Sequence, residues 1–182
     1  MVILIGGSSH VGKTLIAQKL LERTHFPYTS LDHLKMAFIR TKKTELTTED
    51  DYEMRYFLWP FAAEMIKTAI ENDQNMIVEG CYIPREWKQS FSEEYLSHIY
   101  CTFITMSEDY IRQNIGAIEK YASVIEHRVD DELDIERLIK CSEAFRQDSA
   151  VSCTPNIDIT DEYDADKIAE QIIQESRYSS NV

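Results

Sequence analysis

Eight residues near the start of the chain form its most informative chemical pattern. They match G-x-x-x-x-G-K-S/T and read Gly7-Ser8-Ser9-His10-Val11-Gly12-Lys13-Thr14. Glycines let the backbone wrap closely enough for successive N–H groups to face one phosphate. In this motif the lysine reaches the β- and γ-phosphates, and the hydroxyl after it can coordinate magnesium. The pattern therefore predicts a phosphate cradle with Lys13 as its charge and Thr14 as a metal ligand.

The segments on either side of this loop have the character that the motif requires. Val2 to Ile5 is a short apolar run stopped by glycines, which is typical of a strand buried on both faces of a parallel sheet. From Lys13 to Arg23, apolar residues recur with helical spacing. The alternative is an accidental glycine-rich turn, but a strand before the loop and a helix N-terminus after it favour phosphate binding.

Further apolar runs alternate with amphipathic stretches along the rest of the chain. Strands are expected at 26–30, 76–78, 99–105 and 156–160, with helices between them and a last helix at 164–176. This alternation predicts an α/β fold in which a parallel sheet lies between helix layers. In the long helix expected up to Asn72, Thr48 with Asp51 resembles an N-cap, and Pro60 is expected to kink or interrupt the helix.

The layout resembles the nucleoside and nucleotide kinase-like branch of P-loop proteins. The resemblance depends on the N-terminal phosphate loop, on Asp32 just after the second strand, and on Glu79-Gly80 at the end of the third. The branch includes adenylate, shikimate and gluconate kinases and the zeta-toxin and chloramphenicol phosphotransferases. The segments 30–36 and 77–80 look most like proteins named 2-phosphoglycerate kinase. The resemblance implies a three-layer P-loop fold with five parallel strands in the order 2-3-1-4-5, formed by residues 1–182 as a single domain.

The resemblance also implies roles for the acidic residues. ATP would lie on the phosphate loop, and Glu79 would help Thr14 to hold Mg²⁺, directly or through water. The alternative for Glu79 is an acid that merely ends a strand. Asp32 would face the phosphoryl acceptor and accept or orient its hydroxyl group. A side chain at this position can equally cap the helix that begins near His33.

Basic residues are expected to close the site from a lid at about 110–130. The resemblance places Arg112 on the helix after the fourth strand and Arg128 on the far side of the same segment. Phosphoryl transfer spreads negative charge over the transferred oxygens, which lid arginines can meet. Each of the two arginines can instead lie on a solvated helix face.

The acceptor is expected between Asp32 and a helical region at about 33–73. Four cations belong to this part of the site: Lys35, Arg40, Arg55 and, beyond the third strand, Arg85. They predict an anionic acceptor that carries a phosphate or carboxylate. Five aromatic residues follow in the same region: Tyr52, Tyr56, Phe57, Trp59 and Phe61. Such residues are more often core than a base-stacking platform, but two of them lining the cleft would favour a nucleoside or nucleotide.

Composition restricts the possible partners. The net charge of −13 repels nucleic acids and anionic membranes, so neither is expected as a partner. The four cysteines form no CxxC pair and are expected to be reduced thiols in a cytoplasmic protein. No apolar stretch approaches the ~20 residues of a membrane span. A monomer or a homodimer is expected.

These features together favour an ATP-dependent kinase that transfers the γ-phosphate to a small, anionic, hydroxylated metabolite or nucleotide. The sequence contains no Asn-Lys-x-Asp element of the kind that reads guanine, and the preference for ATP comes from the resemblance. Two alternatives remain open: a toxin- or resistance-type phosphotransferase, and a nucleotide-binding regulatory module without turnover. The charge disfavours a nucleic-acid-dependent ATPase.

Overall fold

A computed structural model of the chain describes residues 1–121 and 134–179. Its strands form one parallel sheet in the order β2-β3-β1-β4-β5, so the predicted fold class and strand order are confirmed. The strands are β1 Val2–Gly7, β2 Tyr28–Ser30, β3 Met76–Glu79, β4 Ile99–Met106 and β5 Asn156–Ile159. Each one overlaps a run that the sequence predicted.

Helices cover both faces of the sheet. Within the described residues they are α1 Lys13–Thr24, α2 Leu31–Arg40, α3 Asp51–Glu71, α4 Glu93–Leu96, α5 Glu108–Tyr121, α6 Ile135–Ser152 and α7 Ala165–Ser179, with a short 3₁₀ helix at Trp87–Ser90. In the part of the chain that the structure describes, no helix has the length and apolar character needed to cross a membrane.

The central strand β1 shows why the sheet has helices on both sides. Successive side chains of a strand point to opposite faces. Ile3 and Ile5 pack in one core with side chains of α1 and α7, while Val2 and Leu4 pack in a second core with side chains of α3. All four residues are at most 1% exposed. A strand buried on both faces has no polar side to alternate with, which explains its wholly apolar sequence.

The strand register brings three carboxyl ends to one edge of the sheet. Glu79 pairs with Ile5 of β1 on one side and with Ser30 of β2 on the other. The phosphate loop follows β1, and α2 begins directly after Ser30. In open α/β sheets this edge is where ligands bind.

The start of α3 differs from the prediction. The helix begins at Asp51 and its N-cap residue is Asp50, so the expected cap by Thr48 with Asp51 is wrong. The Asp50 carboxylate instead accepts hydrogen bonds from the backbone N–H and the hydroxyl of Thr47, at 2.7 and 2.8 Å. Asp51 is consequently available for a tertiary contact.

The helix α3 also continues through Pro60 without interruption. A proline in a helix removes one backbone donor and crowds the carbonyl four residues earlier, here that of Tyr56. Pro60 and Tyr56 lie on the exposed side, where water can solvate that carbonyl. On the other side, buried Leu58 and Ala62 fix the helix against the core.

Candidate functional site

The phosphate loop joins β1 to α1 through residues with unusual backbone angles. His10 has φ 65° and Gly12 has φ 78°, both in the left-handed region. Turns that alternate between right- and left-handed residues form the concave backbone surfaces that bind anions. A Cβ atom built on Gly12 would lie 2.1 Å from the Tyr163 hydroxyl, which itself donates to the Gly12 carbonyl at 3.2 Å. Glycine is therefore required at this position for its backbone angle and for space.

Lys13 is positioned inside the loop. Its side-chain nitrogen donates to the Ser8 carbonyl at 2.7 Å, and the residue is 8% exposed. An ammonium group has three donors, and this contact uses one of them. The Ser8 hydroxyl is buried without a hydrogen-bond partner among the described residues. Buried polar atoms are normally paired, so the loop has the hydrogen-bonding capacity that a phosphate oxygen would use.

Thr14 and Glu79 meet at the carboxyl end of the sheet. The Thr14 hydroxyl lies 3.3 Å from Glu79 Oε1, and Glu79 is 1% exposed. The register of β3 beside β1 brings these residues together although 65 positions separate them. A hydroxyl and a carboxylate are the oxygen ligands that Mg²⁺ uses beside phosphates and water, so this pair fits the ion.

Asp32 lies in the first turn of α2 and belongs to a partly buried cluster that the sequence did not indicate. The Tyr82 hydroxyl lies 3.3 Å from Asp32 Oδ1 and 3.0 Å from Asp51 Oδ1. The Lys35 side-chain nitrogen lies 2.7 Å from the same hydroxyl and 2.9 Å from Asp51 Oδ1. We call these four residues, Asp32, Lys35, Asp51 and Tyr82, the Tyr82 cluster. The only sequence signal for Tyr82 is its place three residues after Glu79.

Cys81 directly precedes Tyr82 and is two residues after Glu79. Burial raises the pKa of its thiol to about 12, and the charges of both Lys13 and Asp32 act on it. Burial also raises the pKa of the neighbouring Tyr82, with the charges of Asp32 and Asp51 adding to the shift. Both groups are therefore protonated at neutral pH. All four cysteines of the chain are free.

Arg55 and Arg85 each lie beside a carboxylate. Arg55 donates to the Cys81 carbonyl at 3.2 Å and lies 3.6 Å from Asp148 of α6. Burial raises the pKa of Asp148, and the two arginine charges oppose that shift. The Arg85 side chain is half exposed and contacts the Glu86 carboxylate at 2.5 Å. Arg55 thus contacts the residue directly before Tyr82, and the charges of both arginines act on Asp148.

Arg40 and the aromatic residues of α3 are distributed differently. Arg40 is exposed at the end of α2, about 12 Å along the helix from Asp32 at ~1.5 Å per residue. Trp59 is buried and Phe57 is packed against the core, whereas Tyr52 and Tyr56 are exposed with ring centroids 5.3 Å apart. Tyr56 directly follows Arg55 in α3.

The expected lid falls partly outside the described residues. Arg112 lies on α5 and contacts Glu108 and Glu136, each at 2.8 Å. It therefore joins α5 to the start of α6, and its side chain is 45% exposed. Arg128 lies outside the described residues.

A separate apolar groove lies between α2 and α3, near the amino ends of β2 and β3. Phe26, Phe38, Phe61 and Met65 line it. It is at the opposite end of the sheet from the phosphate loop, and none of the predicted site residues lines it.

No protein-family model and no curated protein matches this sequence. Solved structures do match over nearly the whole chain. A gluconokinase from Sinorhizobium meliloti is 15% identical with a TM-score of 0.60, covering 99% of this chain and 94% of its own. A shikimate kinase from Acinetobacter baumannii, in complex with shikimate, is 12% identical with a TM-score of 0.59, covering 97% and 93%. A deoxyadenosine kinase from M. mycoides is 17% identical with a TM-score of 0.57, covering 98% and 100%.

These similarities define the class of fold. The chain has the three-layer P-loop fold of small-molecule and nucleoside kinases, as its resemblance to that branch predicted. The loop at Gly7–Thr14 and the acid at the end of β3 occupy the carboxyl edge of the sheet in this fold.

Proposed function

We propose that the protein is an ATP-dependent kinase that transfers the γ-phosphate to a hydroxyl group of a small molecule. One observation carries the proposal: Glu79, which contacts Thr14 after the phosphate loop, is paired across the sheet with Ser30, two residues before Asp32, so the loop and the Asp32 carboxylate lie at the same edge of the sheet. A phosphate donor and a group that handles an acceptor hydroxyl would thus face each other. The three matching structures are those of kinases, which supports the same class.

The phosphate loop would hold ATP, and Thr14 with Glu79 would hold Mg²⁺, directly or through water. When bound, the ion neutralises charge on the β- and γ-phosphate oxygens. Lys13 has two ammonium donors beyond its contact with Ser8 and would direct them at the transferred phosphate. The unpartnered Ser8 hydroxyl would contact a phosphate oxygen in the same cradle.

Asp32 would act on the acceptor. Its carboxylate would accept a hydrogen bond from the acceptor hydroxyl and take the proton as the new oxygen–phosphorus bond forms and the bond to the ADP oxygen breaks. Arg112 would leave its carboxylate partners to reach the phosphates, and Arg128 is proposed for the same task. Exposed ion pairs are weak, so the exchange of partners by Arg112 costs little.

An anionic group on the acceptor would bind beside Arg85, with Arg55 next to it. Arg85 is half exposed and its partner Glu86 is adjacent in sequence, so its guanidinium can turn to a ligand. Arg55 is more enclosed, and it donates to the carbonyl of Cys81, the residue directly before Tyr82. Tyr52 and Tyr56 are exposed on α3, the helix that also carries Arg55. Acceptors with an aromatic ring therefore belong in the screen.

The test is ATP consumption by the purified protein with Mg²⁺ and a panel of hydroxylated metabolites, their phosphorylated and carboxylated forms, and nucleosides. We expect Lys13→Ala to lower turnover by a factor on the order of 10² to 10³. We expect Asp32→Asn to lower it by about 10² to 10⁴. Lys19→Ala on the outer face of α1 and Asp73→Asn in the turn after α3 are matched controls that should retain activity.

Three outcomes separate the candidate functions. Acceptor-dependent turnover that both site variants lose establishes the kinase and identifies its acceptor. ATP binding without turnover across the panel favours a regulatory module instead. If the purified protein binds no nucleotide, the proposed function is wrong.

A further inference from the structure

We propose that Tyr82 is a positioning residue that orients the Asp32 carboxylate. Lys35 holds the Tyr82 hydroxyl in place for this purpose and does not bind the anionic group of the acceptor. The inference deepens the proposed function and rests on it. It changes the role expected for Lys35, which the sequence placed among the acceptor-binding cations.

The first argument is that Lys35 has no donor left for a ligand. Its side-chain nitrogen contacts the Tyr82 hydroxyl at 2.7 Å, Asp51 Oδ1 at 2.9 Å and the Thr48 carbonyl at 3.3 Å. An ammonium group has three N–H donors, and these three acceptors use all of them. The residue is 7% exposed. An acceptor could reach its charge only by breaking a contact that is already buried.

The second argument concerns the single proton of the Tyr82 hydroxyl. This oxygen accepts from Lys35 and can donate to one carboxylate, either Asp51 at 3.0 Å or Asp32 at 3.3 Å. Asp51 already receives a hydrogen bond from Lys35 and lies 3.6 Å from Arg137 of α6. No cation contacts Asp32 in the described residues, so donation from Tyr82 has its larger effect there. Because burial raises the pKa of Tyr82, the hydroxyl remains a donor under all ordinary assay conditions.

The third argument is that the fold fixes the distance between Tyr82 and Asp32. A Cβ built on Gly80 would lie 2.8 Å from the Cβ of Leu31, so the end of β3 and the start of α2 are in close contact. Tyr82 is two residues after Gly80, and Asp32 follows Leu31 directly. Tyr82 itself is 1% exposed and cannot move away without opening the core.

These contacts leave Asp32 with one oxygen held and one available. When the Tyr82 hydroxyl donates to Oδ1, the other carboxylate oxygen can face the acceptor hydroxyl. Positioning of this kind affects the rate of the chemical step more than the binding of either substrate. It therefore makes a kinetic prediction that differs from the one for an acceptor-binding lysine.

The deciding variant is Tyr82→Phe, which removes one oxygen and preserves the packing. With the acceptor found in the screen, we expect kcat to fall by about 10- to 100-fold while KM for the acceptor and for ATP changes less than about threefold. Lys35→Met should lower kcat in the same way. In an Asp32→Asn background, Tyr82→Phe should have little further effect, because the group that it positions is no longer competent.

The controls are Tyr95→Phe and Lys67→Met. The Tyr95 hydroxyl contacts Glu71, and Lys67 pairs with Glu64. Both glutamates are exposed on α3. A rise in acceptor KM with unchanged kcat for Lys35→Met would show that Lys35 binds the acceptor. Factors for Asp32→Asn and Tyr82→Phe that multiply would show that Tyr82 acts independently of Asp32. Either result overturns the inference.

A crystal structure of the Tyr82→Phe variant tests the same inference and needs no measurement of activity. We expect the Asp32 carboxylate to rotate or to occupy more than one rotamer. An unchanged, single Asp32 rotamer would overturn the positioning role. If the wild-type protein phosphorylates none of the acceptors, the proposed function fails, and this structural result still decides what Tyr82 does to Asp32.

Discussion

At the scale of single residues, the phosphate loop is the most constrained part of the site. Gly12 combines a left-handed backbone angle with close contact to Tyr163, which comes from the segment after β5. His10 has a similar angle without being glycine, which is uncommon but occurs for histidine. The loop therefore depends on a contact with a residue 151 positions away as well as on its own motif.

Gly12→Ala should weaken nucleotide binding. A left-handed angle costs a non-glycine residue about 1–2 kcal/mol, and the new methyl group would also collide with the Tyr163 hydroxyl. The backbone must shift to relieve both, which moves its N–H groups away from the phosphates. We expect the Kd for ATP to rise by at least about tenfold, measured by isothermal titration calorimetry.

Gly116→Ala is the matched control for this prediction. A Cβ at Gly116 has nothing within 4 Å, so ATP binding should be unchanged. Combining Gly12→Ala with Tyr163→Ala removes the ring from the collision and should recover part of the affinity. An ATP affinity that Gly12→Ala leaves intact would show that the loop tolerates a side chain at this position.

At the residue level, a sequence can indicate a shared site most directly for groups that are close together in the chain. The loop residues Gly7 to Thr14 are adjacent, so their joint chemistry is visible as a motif. The Thr14–Glu79 contact needed the fold as well, which the resemblance supplied. Tyr82 could not be predicted, because its partners Asp32 and Asp51 lie 50 and 31 positions away and nothing in their spacing links them.

At the scale of elements, strands were easier to predict than helix ends. The strands β1, β3 and β4 are nearly continuous apolar runs because both of their faces are buried. Helix starts depend on which of several adjacent polar residues acts as the cap. At α3, two threonines precede three acids, and the structure pairs Thr47 with Asp50 while Asp51 contacts Lys35. That choice depends on a tertiary contact that the local sequence does not contain.

The helix α7 has a cap that makes its stability depend on pH. Asp164 Oδ1 accepts from the backbone N–H groups of Asp166 and Lys167, both at 3.0 Å. The Lys167 N–H lowers the pKa of Asp164 below its ordinary value of 3.8. A carboxyl with a lowered pKa in the folded state stabilises the protein above its unfolded pKa, and this contribution is lost as the pH falls through the folded pKa.

Two variants of Asp164 separate the charge from the cap. Asparagine retains a capping acceptor but cannot ionise, so Asp164→Asn should melt below the wild type at pH 7 and converge with it near pH 2.5. Asp164→Ala should melt lower than both at pH 7, since it loses the acceptor too. Melting temperatures by circular dichroism from pH 2.5 to 7 provide the measurement. A difference between wild type and Asp164→Asn that is constant over this range would exclude the charge contribution.

At the scale of the whole molecule, the basic residues of the site are surrounded by acids. The chain carries 32 acidic and 19 basic residues. With this excess of acids, each of four predicted site cations contacts at least one carboxylate: Lys35, Arg55, Arg85 and Arg112. Under the proposed function, an anionic nucleotide would therefore have to approach through a repulsive field and bind at a small basic site. The phosphate loop would overcome this field locally, because Lys13 and the N-terminus of α1 would act on a bound phosphate at contact distance.

The same excess of negative charge should make the fold more stable at higher salt. Exposed ion pairs contribute little individually, whereas repulsion among 13 uncompensated charges acts over the whole surface. Raising NaCl from 10 to 300 mM shortens the screening length from about 30 Å to below 8 Å. If screening removes about 1 kcal/mol of repulsion, the melting temperature at pH 7 rises by about 2–4 °C.

A variant with two fewer charges shows whether repulsion causes this dependence. Glu45 and Glu49 are exposed in the connection between α2 and α3 and form no ion pair with another described residue. Replacing both with glutamine should raise the melting temperature at 10 mM NaCl and reduce its increase with salt. A wild-type melting temperature that falls as salt is added would mean that the ion pairs of the described surface, such as Arg23 with Asp166, outweigh the repulsion.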